Sequence, residues 1–91
     1  MSTSFLDRAW ELAPQVSVRP EPFGALLYHF GTRRLSFLKD RRLLAVVQGL
    51  AEASSARLAC AAAGVDAGEM TAYERALGRL AATDMVRERG R

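Results

Sequence analysis

The sequence predicts an α+β domain: a three-stranded antiparallel sheet followed by three helices. Three observations carry this. Residues 23–39, FGALLYHFGTRRLSFLK, alternate with period two around a central Gly31-Thr32 and read as a β-hairpin. After Leu38 the apolar spacing changes to three and four residues, the helical period. Cap residues at Asp40, Ser54 or Ser55, and Asp66 then divide the second half into three helices.

In order along the chain, residues 4–12, SFLDRAWEL, have apolar spacing that suits a short helical turn, with Trp10 as its tether to the body. Pro14 breaks that segment. The division expected is an N-terminal segment, 1–13, and a folded domain, 14–91. Val16-Ser17-Val18 reads as a short strand, and Pro20 and Pro22 confine it to a sheet edge or strand end. The hairpin follows, with strands at 25–30 and 33–38. Gly31-Thr32 is expected as a two-residue type II′ turn, which sets Phe30 against Arg33, Tyr28 against Leu35 and Leu26 against Phe37. Leu26, Tyr28, Phe30, Leu35 and Phe37 then share one apolar face, expected to be the face the helices cover. Asp40 caps a helix over 41–51, with Leu43, Leu44, Val47 and Leu50 on one side. A second helix spans 56–63 and ends at Gly64 in the C′ position. Asp66 and Glu69 have the spacing of an acidic capping box, opening a third helix to about Thr83. Its stripe is Met70, Tyr73, Leu77 and Leu80. Residues 85–91 are a basic tail or a last short strand.

The chain has 91 residues and 49% hydrophobic content, enough for one small packed domain. Its lone cysteine, Cys60, can form no intrachain disulfide and sits in an alanine-rich stretch where a small buried residue is expected. No apolar run approaches the ~20 residues of a membrane span. Taken together, these features fit a cytoplasmic protein. The formal net charge is +3, but Arg33, Arg34, Lys39, Arg41 and Arg42 face Asp40 alone within ten residues. The remainder is slightly acidic. Such a patch attracts an acidic partner, and it also protects an edge strand from aggregation.

Catalysis needs a constellation of groups, and none is legible. His29, the single histidine, lies in a strand with no nucleophile motif near it in sequence. One His, one Cys and scattered carboxylates supply no metal site, and no glycine-rich phosphate loop is present. No catalytic residue, metal or cofactor is therefore expected, and the function class left is binding. One reading is a winged-helix nucleic-acid binder. Against it, the third helix opens with Asp66 and Glu69, where phosphates would lie, and the basic hairpin precedes the helices. The favoured reading is peptide binding. In it, an extended peptide adds to the open edge of residues 33–38, and the third helix forms the second wall of a groove. No nucleic acid and no membrane are expected as partners. A homodimer through the exposed edge is compatible with the sequence.

Residues 19–47, RPEPFGALLYHFGTRRLSFLKDRRLLAVV, resemble the mycofactocin biosynthesis peptide chaperone family. That family belongs with the chaperone of pyrroloquinoline quinone biosynthesis among the RiPP precursor recognition elements. The resemblance implies a winged-helix-like fold of three strands and three helices. It implies that the leader of a precursor peptide, acidic in that pathway, pairs with the hairpin's second strand against the third helix. It also implies delivery to a radical S-adenosylmethionine maturase. The positions it assigns to peptide binding are Arg33, Arg34, Leu35, Ser36, Phe37 and Leu38 on the strand, and, by element, Tyr73, Leu77 and Leu80 on the helix; the charge run adds Lys39, which with Arg33 and Arg34 is expected to draw in the peptide's carboxylates. For Leu35, Phe37 and Leu80 the competing expectation is core packing, and for Phe37 it is the favoured one.

Overall fold

The computed structural model describes residues 4–89. Gly90 and Arg91 of the expected basic tail lie outside the described residues. The elements run β1 (Trp10–Leu12), β2 (Val16–Glu21), β3 (Gly24–His29), β4 (Leu35–Leu38), α1 (Arg41–Gly49), α2 (Ala56–Ala62), α3 (Met70–Ala82) and β5 (Val86–Glu88). Strands β2-β3-β4 form an antiparallel sheet with β3 central, and β1 pairs with β5 in a second, two-stranded sheet. The expected mixed architecture of a three-stranded sheet and three helices is present, with the small β1–β5 sheet added.

The hairpin register is as expected, with Leu26 opposite Phe37 and Tyr28 opposite Leu35. The turn is not. In place of a two-residue type II′ turn, His29 and Arg34 close a loop over residues 30–33. Arg33 there sits at φ 63° and its N–H donates to the His29 carbonyl at 2.7 Å. The reason is the His29 side chain. Its Nδ1 accepts the N–H groups of both Gly31 and Thr32 at 3.0 Å, a role open only to an unprotonated Nδ1. Phe30 consequently leaves the strand.

The larger correction concerns which face is core. Ala25, Leu27, His29 and Leu38 point inward, with Leu27 at 0% exposure. The face carrying Leu26, Tyr28, Phe30, Leu35 and Phe37 points outward. Small Ala25 near the start of β3 lets α1 approach closely. Leu43, Val46, Val47 and Leu50 from α1 and its 3₁₀ extension complete that side of the core. Gly24 permits a different close approach, to the end of β4: a Cβ there would lie 2.0 Å from the Leu38 carbonyl oxygen, so β3 can start beside the end of β4 only without a side chain.

The caps behave as expected. Asp40 Oδ1 accepts the Arg42 N–H at 2.8 Å, and Ser55 Oγ accepts the Leu58 N–H at 3.2 Å. Gly64 takes φ +90° after α2. Asp66 and Glu69 bond reciprocally in a capping box. Cys60 is buried, and Tyr73, Leu77 and Leu80 form the buried stripe of α3. The N-terminal segment differs from expectation: Phe5–Asp7 is a 3₁₀ turn, and Trp10–Leu12 is a strand rather than helix. So short a helix is costly to nucleate, and β5 offers a ladder partner instead. Trp10 does tether the segment. It is buried, stacks on Phe5 at 4.1 Å between centroids, and donates its indole N–H to the Phe5 carbonyl at 2.9 Å. Arg89, beyond β5, donates to the carbonyls of Ala51 and Ala53, fixing the chain that follows α1.

Candidate functional site

β4 is an edge strand, and antiparallel geometry decides which of its groups are free. In such a ladder, alternate residues turn both N–H and C=O toward the neighbour. The His29 N–H donates to the Arg34 carbonyl at 3.0 Å, so with the observed register Arg34, Ser36 and Leu38 face β3. Leu35 and Phe37 therefore present their main-chain N–H and C=O to the open side. The opposite edge is different. Gln15 bonds to Phe30, which by the same alternation turns Val16, Val18 and Pro20 of β2 outward. Pro20 has no N–H to offer there, which blunts that edge. Within the three-stranded sheet, β4 is thus the edge able to accept another strand over its full length.

Along this edge runs a groove of about 530 Å³ between β4 and α3. The strand side is built from Ser36, Phe37, Leu38 and Lys39, with Leu43 at its base. The helix side is built from Ala76, Arg79, Leu80 and Thr83. A smaller hollow of about 150 Å³ shares Leu43 and Ala76 with the groove and extends it to Asp40, Ala72 and Tyr73. Of the residues expected on this strand, Ser36, Phe37, Leu38 and Lys39 line the groove and Arg33, Arg34 and Leu35 do not; Leu35 and Phe37 are exposed rather than packed in the core, and Leu38 is buried. On α3 the expected stripe is turned inward. Leu77 has no exposed surface and belongs to the core, Tyr73 is buried with only its edge at the hollow, and Leu80 forms floor. The face lining the groove lies about one residue round the helix, at Ala72, Ala76, Arg79 and Thr83. The signal for it is the pair of alanines four apart, whose single Cβ atoms leave the space open.

Arg33, Arg34, Lys39 and Arg79 enter none of the ion pairs formed among the described residues. Lys39 and Arg79 stand on opposite walls of the groove, and Arg33 and Arg34 precede β4, outside the groove's lining. Arg42, by contrast, is engaged by Glu69 at 2.6 Å. The groove is therefore apolar at its base, has unused main-chain groups along one wall, and carries unneutralised positive charge at its margins. Such an arrangement is chemically complementary to an extended, acidic chain.

Asp40 locks the two walls together. One carboxylate oxygen caps α1 and the other accepts the Tyr73 hydroxyl from α3. The Tyr73 hydroxyl, then the Arg42 N–H, hold the Asp40 carboxyl below its ordinary 3.8. Burial, then the bond to Asp40, push the Tyr73 phenol up to about 12. A carboxylate with a lowered pKa in the folded state adds stability above its unfolded value and loses it as pH falls through the folded one. Stability should therefore decline below about pH 4. Tyr73→Phe should cost about 1 kcal/mol at pH 7, and less at pH 3, where the bond is already weakened. Thermal melts of both proteins at the two pH values measure the difference. Asp7, held low by Arg57 and Ser4, contributes equally to both and cancels.

The family model described as the Peptide chaperone MftB family matches residues 9–87, a span that holds all three helices and every strand except the last residue of β5. The chain belongs to the peptide chaperone MftB family. Peptide chaperone MftB of Mycobacterium tuberculosis is 61% identical over 80 residues, covering 88% of this chain and 73% of the relative. The same name is carried by a relative in Mycobacterium ulcerans, 61% identical with the same coverage, and by one in Mycolicibacterium smegmatis, 55% identical over 88% of this chain and 78% of the relative. No solved structure matches the chain. The role of an MftB chaperone is binding rather than bond-making, so this is a non-catalytic protein. Among the described residues no cluster of His, Cys, Asp or Glu could hold a metal ion, and no helix is long and apolar enough to cross a membrane.

Proposed function

We propose that this chaperone binds the leader of a ribosomally made precursor peptide as an added strand on β4, and delivers the precursor to a radical S-adenosylmethionine maturase in mycofactocin biosynthesis in the cytoplasm. The observation that carries the reading is the free main chain of Leu35 and Phe37 beside a groove with unpaired cations on both walls. The peptide contacts run along Arg33, Arg34, Leu35, Ser36, Phe37, Leu38 and Lys39, with Leu80 at the base and Tyr73 at the hollow. Leu77 supports the helix from behind.

Fixing one leader residue as strand costs about 1–2 kcal/mol of backbone entropy. A main-chain hydrogen bond returns only about 0.5–1.5 kcal/mol. Strand pairing alone therefore roughly breaks even, and affinity must come from apolar side chains entering the groove and carboxylates meeting the cations. Selection of the leader follows from that requirement. Once the leader is held, the rest of the precursor reaches the maturase at raised effective concentration, so ordering and chemistry are separated between two proteins.

A direct comparison tests the reading. At equal ionic strength, a synthetic acidic leader should shift the backbone amides of residues 33–38 in an NMR titration, and duplex DNA should not. Preference for DNA would favour a nucleic-acid function instead.

A further inference from the structure

The loop of residues 30–33 that leads into β4 is held by one side chain. Phe30, Gly31, Thr32 and Arg33 are all exposed, so no packing of their own fixes them. Phe30 is tied to the Gln15 carbonyl and Arg33 to the His29 carbonyl. Between them, the Gly31 and Thr32 amides both donate to His29 Nδ1 and have no other acceptor among the described residues. Gly31 lies so close to the ring that a Cβ there would meet its Cε1 at 2.9 Å. His29 itself is 5% exposed and shares a hollow of about 310 Å³ with Gln15, Thr32, Asp84 and Arg87. That is room for several waters, which can carry a proton to the ring. An imidazole that accepts at Nδ1 carries its proton on Nε2. A second proton, on Nδ1, would point at two N–H groups already converging on that atom. Imidazolium and the closed loop therefore exclude one another.

We infer that His29 is a positioning residue for the leader-binding edge, and that leader binding requires its neutral form. The inference rests on the strand-addition reading above. Opening the loop frees Arg33 from its left-handed φ of 63°. It also loosens the bond from the His29 N–H to the Arg34 carbonyl, which closes the hairpin. Leu35, the first β4 residue with free main chain for the leader, follows directly. The start of the edge and both arginines before it thus depend on one ring nitrogen. The charged groups near the ring come from several elements. Asp84, after α3, and Arg87 of β5 line the hollow, and Glu11 of β1 engages Arg87 at 2.8 Å. On the β2 side stand neutral Val16 and Gln15. On the β4 side stand Arg33 and Arg34. Among the described residues none of these side chains bonds to the ring or takes the two amides in its place. Nδ1 is therefore where protonation is felt.

Two variants test it. His29→Asn sets a carbonyl oxygen close to the place of Nδ1, so it can accept the same amides, but it does not titrate. His29→Leu keeps apolar bulk and has no acceptor. Affinity for a synthetic leader of the cognate precursor is measured at pH 7.5 and pH 5.5, with circular dichroism to check folding. Leader carboxylates stay ionised across that window. A histidine of ordinary pKa, about 6.5, keeps about a tenth of its neutral form at the lower pH, which sets the scale of the loss. Wild type should bind about three- to tenfold more weakly at pH 5.5. His29→Asn should bind like wild type at pH 7.5 and equally at both pH values, and His29→Leu should be weakened already at pH 7.5. Without leader, the Gly31 and Thr32 amides of wild type should shift together across the same window in NMR spectra, and those of His29→Asn should stay. Wild-type binding that is flat with pH would overturn the inference, as would a fall in His29→Asn that matches wild type, or full affinity in folded His29→Leu. Absence of leader binding by wild type at either pH would instead overturn the strand-addition reading.

Discussion

Replacing Ala76 with phenylalanine lowers affinity for the leader about 100-fold, or about 2.7 kcal/mol, and leaves the fold intact. Ala76 is shared by the groove and by the hollow that extends it, so a ring at this position fills the space both need. The groove wall on α3 is otherwise built of side chains that turn aside or end early: Ala72, Thr83, and Arg79 at the margin. Leader side chains entering from the β4 edge would meet the new ring first. The cost to the helix is small, since phenylalanine is less than about 0.7 kcal/mol poorer than alanine in helix propensity. At roughly 4–8 °C per kcal/mol for a domain of this size, the melting temperature should fall by no more than about 5 °C. Isothermal titration with the leader and a thermal melt give the two numbers. Loss of affinity with an unchanged melt assigns the effect to the groove.

Reversing charge at Arg33 and Arg34 together has the second large effect. Arg33→Glu with Arg34→Glu should weaken leader binding at least tenfold at low salt, and the deficit should shrink as salt is raised. Both side chains are exposed and lie beside the strand rather than in the core. Single exposed ion pairs contribute only about 0.2–1 kcal/mol, but reversal removes two attractions and substitutes two repulsions. Screening over a Debye length of about 8 Å at physiological ionic strength explains the expected salt dependence. Stability should change little. Arg33 occupies a left-handed backbone conformation that glutamate tolerates no worse than arginine. A deficit independent of salt would mean that the two arginines act through geometry rather than charge.

Much of the fold is legible in the sequence because its signals are local. Asp40, Ser55, Gly64 and the Asp66–Glu69 pair each satisfy backbone groups within a few residues, so chemistry at one position fixes structure there. The hairpin register is legible for the same reason. The inward face of the sheet is not local. Counting apolar residues favours the Leu26, Tyr28 and Phe37 face, yet that face is open, and Ala25, Leu27 and His29 are buried. The count misleads because an exposed apolar face is indistinguishable from core by composition alone. Strand β2 holds the corrective signal: Val16 and Val18 alternate with Ser17 and Arg19, and the pairing puts the polar pair beside Tyr28 and Leu26. His29 is a second such case. A histidine reads as polar, but here its ring is consumed by two turn amides and can be buried.

The candidate site divides along the same line. Its strand half follows from the hairpin pattern and the charge run. Its helix half does not, because a stripe of Tyr73, Leu77 and Leu80 marks the side of α3 that packs inward. The side that lines the groove and its hollow is marked instead by small residues, Ala72 and Ala76, which carry almost no periodic signal. Arg79 is legible only once the helix is set against β4.

Amide hydrogen exchange on the chaperone with and without its leader tests the account most directly. The N–H groups of Ser36 and Leu38 face β3 and should be protected in both states. Those of Leu35 and Phe37 face solvent in the free protein and should become protected only when the leader is bound. Equal, fast exchange at Leu35 and Phe37 under saturating leader would contradict strand addition at β4.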